Sequence, residues 1–88
     1  MTQEPDRLPP PPFWRTRYFA IDVIRRRPDL DFIEIRRIIA MPERRLIQSD
    51  GRIRLYGFSP SLGIYLRIVL LSDGETVHNA FPDEDFVP

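Results

Sequence analysis

The chain has 88 residues, 42% of them hydrophobic, which limits it to one domain with a thin core. It contains no Cys, so a disulfide framework, thiolate catalysis and a Cys-based zinc site are all excluded, and a reducing cytoplasm is the expected setting. Net charge is zero, but the charges are segregated: 12 Arg against six acids lie between Phe13 and Arg67, and the other seven acids lie towards the two ends. A basic body with acidic ends results, and every basic residue is Arg. A GC-rich coding sequence accounts for that choice by itself. The guanidinium fork nevertheless grips phosphate at two points, which an ammonium cannot do.

Residues 1–12 hold five prolines and few apolar groups, and read as an extended, disordered lead-in. Its acidic, proline-rich layout is the reverse of a signal peptide. No apolar run reaches the ~20 residues that span a bilayer; the longest, Ile64 to Leu71, is interrupted by Arg67. The expectation is a cytoplasmic protein with no membrane contact.

The folded domain is expected over residues 13–82. A first helix is predicted from Trp14 to Arg27, with Trp14, Tyr18 and Ile21 on one stripe widened by Ala20, Val23 and Ile24. Pro28 ends it, because proline drives the preceding residue out of the α region. A second helix begins at Asp31, where Asp31 and Glu34 form a D-x-x-E start resembling a capping box. Phe32, Ile35, Ile38 and Ile39 make its inward stripe, Arg36 and Arg37 its wet side, and Pro42 closes it near Met41.

The hydrophobic period then drops from 3.6 to 2. Arg44 to Gln48 reads as a first strand and Ser49-Asp50-Gly51 as a tight turn. The second strand sends Ile53 and Leu55 one way and Arg52, Arg54 and Tyr56 the other. Ser59 to Gly63 is a longer connection. The third strand sends Ile64, Leu66, Ile68 and Leu70 one way and Tyr65, Arg67 and Val69 the other. Ser72-Asp73-Gly74 turns into a fourth strand at Thr76 to Phe81, and residues 83–88 form an acidic, loose tail. Short turns join neighbouring strands, so the fold class is α+β: two N-terminal helices on one face of a four-stranded antiparallel meander.

The alternation selects the side chains of the uncovered face. Arg52, Arg54, Tyr56, Tyr65 and Arg67 should project together from paired strands, ~4.5–5.5 Å apart where directly opposite. Guanidinium groups beside phenols suit a phosphate next to a stacked base, the chemistry of RNA recognition. RNA cleavage uses the substrate's own 2′-hydroxyl, so the protein needs a proton acceptor, a donor and charge stabilisation. His78, the one histidine, lies on the fourth strand and is a candidate to share this face. Two plainer readings stand beside these: a solvated outer sheet face, and an ordinary surface or core histidine. No metal site or cofactor is expected, since one His and no Cys are too few ligands and the Asp83-Glu84-Asp85 run falls in the tail. The four glycines form no phosphate-binding loop.

Four segments carry a likeness: Ser49 to Arg54, Tyr56-Gly57-Phe58, Arg67-Ile68-Val69, and Asp73 to Pro82. Together they resemble small bacterial proteins related to the BrnT and RelE-like toxins, a group with members of unknown function. The resemblance spans roughly Trp14 to Pro82 through short motifs. It implies an antiparallel sheet with helices on one side, and an endoribonuclease toxin of a type II toxin–antitoxin system. Its partners would be an antitoxin protein and RNA or the ribosome. The family's central-strand site residues match Arg52, Arg54, Tyr56 and Arg67, with His78 and Tyr65 added by the strand reading. Arg54 and Arg67 would stabilise the phosphorane, Tyr56 and His78 would handle protons, and Arg52 and Tyr65 would bind substrate. The chain departs from the pattern at its acidic end, Asp83-Glu84-Asp85-Phe86, where several such toxins carry basic catalytic groups. The alternative is a non-catalytic protein-interaction domain on the same scaffold.

Overall fold

The computed structural model describes residues 23–88. They form one helix and a four-stranded antiparallel sheet. The predicted first helix lies outside the described residues except for its end, a single helical turn at Ile24–Arg26. That turn closes with Arg27 N donating to Val23 O at 2.9 Å, immediately before Pro28.

Helix α1 spans Phe32–Ala40. Asp31 caps it: Oδ1 accepts from the N–H of Ile33 (2.8 Å) and Glu34 (3.3 Å), satisfying donors that have no partner inside the helix. The expected reciprocal contact from Glu34 is replaced. Its carboxylate instead accepts from Ser59 Oγ, from Ser61 N at 3.1 Å and from Ser61 Oγ at 3.0 Å. Three donors from Ser59 and Ser61 outweigh one backbone N–H, and the carboxylate ties helix to sheet. Arg37 adds a second tie, Nη2 donating to Phe58 O at 2.9 Å.

The strands are β1 (Arg44–Ile47), β2 (Ile53–Ser59), β3 (Ile64–Leu70) and β4 (Val77–Pro82), in the spatial order β1-β2-β3-β4. Asp50 and Asp73 build the two tight turns. Asp50 Oδ1 accepts from Arg52 N at 2.9 Å, and Asp73 Oδ1 from Glu75 N (2.8 Å) and Thr76 N (2.9 Å). Gly51 and Gly74 follow them at φ +91° and +74°, which side chains disfavour. In register, Leu55 faces Ile68 and Gly57 faces Leu66, while Ile68 faces Ala80.

The core lies between α1 and this sheet face. Ile35, Ile68, Val77 and Ala80 are fully buried, and Ile38, Leu55, Leu66 and Leu70 nearly so, with Phe32 and Ile39 packed against them. Gly57 lets the helix come this close: a Cβ there would lie 2.6 Å from Ile38 Cγ1. Val23 and Leu30 join the same cluster, so the segment entering α1 also belongs to the core.

Candidate functional site

The second sheet face is built in rows. Because partners across antiparallel strands point the same way, Arg44, Tyr56, Arg67 and Phe81 form one continuous row over all four strands. Phe58 and Tyr65 form the next row on one side, and Leu46, Arg54, Val69 and Asn79 the row on the other. Tyr56, Arg67, Tyr65 and Arg54 are thus brought together, as the alternation required.

They do not stand open. The segment after β4, expected to be a loose tail, folds back across the face. Asp83 N donates to Tyr65 O at 2.9 Å, which fixes the direction of the turn. Arg67 then gives both Nε (3.1 Å) and Nη2 (2.7 Å) to Asp83 Oδ2, whose carboxyl is buried. Asp83 Oδ1 accepts from Asp85 N at 3.0 Å, and Phe86 N donates to Asp83 O at 3.3 Å. Phe86 is thereby delivered onto Tyr56, ring centroids 4.4 Å apart and 9° from parallel, and against Tyr65 at 5.1 Å. Tyr56 is left 4% exposed. The tail fails to stay loose for a physical reason: an acid three residues before an aromatic matches an Arg beside a Tyr.

Cations and rings alternate throughout this layer. The Arg67 guanidinium sits 5.7 Å from the Tyr56 ring centroid and 5.2 Å from that of Phe81, and Arg44 covers Phe86 at 5.1 Å. Tyr65 meets Phe58 edge-on at 5.3 Å, and its hydroxyl points to Glu43 Oε1 at 3.4 Å. Arg54 Nε donates to Gln48 Oε1 at 3.0 Å.

The electrostatics follow the contacts. Asp83 is held below the usual carboxylate range, first by the hydrogen bond from Arg67, with desolvation opposing and the Asp85 N–H and the Arg67 and Arg54 charges assisting. Desolvation and then the neighbouring Glu43 raise the Tyr65 phenol. Neither is a proton acceptor tuned to neutral pH.

Arg52 and His78 sit apart from the row. Arg52 precedes β2 and lies on the turn, 3.8 Å from Asp50. His78 is the residue inserted by a register shift, Val69 facing Asn79 while Leu70 faces Val77. It lies three positions along β4 from Phe81, Arg67's partner, or ~10 Å at the rise of a strand. Burial and then the charge of Arg52 lower its pKa. His78 therefore stands outside the row of Arg67, on the side towards Arg52. Strict alternation cannot reveal an inserted residue.

Sequence reasoning missed Asp83 and Phe86. Their signal was present: an aromatic and Val87 inside an otherwise acidic run, downstream of an Arg with no acid assigned to it. Among the described residues no group of three or more His, Asp or Glu is arranged to hold a metal, and no helix is long and apolar enough to cross a membrane. Comparison with protein-family models, with curated proteins and with solved structures returns no match to this chain.

Proposed function

We propose that the chain is a non-catalytic protein-interaction domain. The observation supporting this is the closure of the Arg/Tyr face by its own C-terminal residues. Arg67 spends its Nε and Nη2 donors on Asp83, and the Tyr56 ring is stacked beneath Phe86. A phosphate and a base would have to displace a carboxylate and a ring already in place.

The ribonuclease reading keeps one argument in its favour. Arg67, Tyr56 and Tyr65 occupy adjacent rows, so lifting residues 83–86 would uncover a cation beside two phenols. A toxin of that kind would partner an antitoxin and act on RNA or the ribosome. The two readings separate in one assay. Purified protein and a Phe86→Ala variant are incubated with total RNA and the fragments resolved on a gel. The interaction domain leaves the RNA intact in both cases. Cleavage by either protein that disappears with Arg67→Ala would establish the nuclease instead.

A further inference from the structure

The two edges of the sheet are unlike. At β4, Val23, Arg26 and Arg27 lie alongside, lining a cavity of about 130 Å³ with Asn79 and Phe81. Strand β1 pairs with β2 on one side, and all four of its residues are exposed, Leu46 and Ile47 at 47% and 65%. Its outer edge meets no other described strand. The ladder says which donors are turned outward. Gln48 N donates to Arg52 O at 2.7 Å, and bonding pairs recur every second residue in an antiparallel ladder. The N–H groups of Leu46 and Arg44 therefore face β2, and those of Arg45 and Ile47 face away.

We infer that β1 takes an extended acidic segment of a partner protein as a fifth strand, an assignment that rests on the interaction-domain reading above. Added strands gain affinity from main-chain bonds and specificity from alternate side chains. Arg44 and Arg45 point to opposite faces and lead into Leu46 and Ile47. The fitting antiparallel strand carries two apolar residues followed by two acids, one acid for each guanidinium.

Charge argues against a second copy of this chain. Only outward-facing residues can bond to each other across such an edge, so registers that keep Arg45 within the pairing set it opposite Arg45 or Ile47 of the other copy. In the first register the two Arg45 side chains stand directly opposite, and in the second they are diagonal neighbours within ~7–8 Å. Like charges at such positions destabilise pairing, and Arg on an edge strand blocks self-association for this reason.

The test uses the full chain and a synthetic peptide with a Val-Ile-Glu-Glu centre. Saturable binding is expected, with hydrogen-exchange protection gained at the Arg45 and Ile47 amides and affinity falling as salt is raised. Ile47→Pro removes an outward donor and should weaken binding at least tenfold. Should that variant not fold, Arg45→Glu should weaken binding by a similar factor, and a peptide with Lys opposite position 45 should restore it. No binding, protection located elsewhere, or a dimer dispersed by Ile47→Pro each overturns the assignment. If the peptide fails while RNA stays intact, only the edge assignment falls; if RNA is cut in the manner described above, the interaction reading falls with it.

Discussion

The two faces of the sheet are closed by different physics. On one, α1 sets Ile35 and Ile38 into aliphatic neighbours from β2, β3 and β4, and close approach over Gly57 excludes water. Contacts there are numerous and non-directional. On the other, a short turn places one carboxylate on Arg67 and one ring on Tyr56. Those contacts are few and depend on angle and charge state. A face of the first kind resists pH and salt, whereas a face of the second kind can be released by a single group. The same domain thus has a durable side and a conditional one.

The sharpest way to strain that contrast is to damage the durable side. Ile35→Ala leaves a cavity in a site that is 0% exposed and should cost about 2–5 kcal/mol. In a domain this small, chemical denaturation should show much of the total stability gone. Phe86→Ala removes a half-buried ring from the conditional side and should cost less, about 1–2 kcal/mol. Hydrogen exchange should then show faster opening of residues 83–86 with the β2–β3 ladder still protected. Equal losses in both variants, or global opening in the second, would erase the distinction.

The smallest effect is a dependence on acid. The Asp83 carboxyl has a lower pKa folded than unfolded, so its contribution is fully present above the unfolded value of ~3.9 and disappears as pH falls through the folded one. Below about pH 4 the Phe86 ring resonances should shift towards solvent-exposed positions while the Ile35 and Ile68 methyls keep theirs. Asp83→Asn should remove that titration and hold the segment more weakly at neutral pH. An unchanged acid response in Asp83→Asn would assign the effect to another carboxylate.

Much of the durable side was legible in the order of residues. The stripe at Phe32, Ile35, Ile38 and Ile39, the Asp31 cap and the strand at Ile64–Leu70 follow from periodicity and local bonding, which act within a few residues. Strand ends moved by a residue or more: β2 runs on to Ser59, which pairs with Ile64 and bonds Glu34 across 25 residues, contacts that no local rule sees. The conditional side was legible only in half. Alternation placed Tyr56, Tyr65 and Arg67 together, but what covers them is a single aromatic with no period around it. The partner of Arg67 is 16 residues away, and the one hint of it is the apolar pair Phe86-Val87 beside the acids. The offset of His78 is equally hidden, because an inserted residue resets the alternation silently.

The spatial order of the strands also governs how quickly the molecule can reach this state. Every ladder joins segments adjacent in the chain, through connections of only a few residues, so closing each one sacrifices little chain entropy. Sheets whose pairings are all local fold faster than Greek keys or barrels of similar stability. The ring on Tyr56 comes from 30 positions downstream, so Phe86→Ala is expected to speed unfolding and leave the folding rate nearly unchanged.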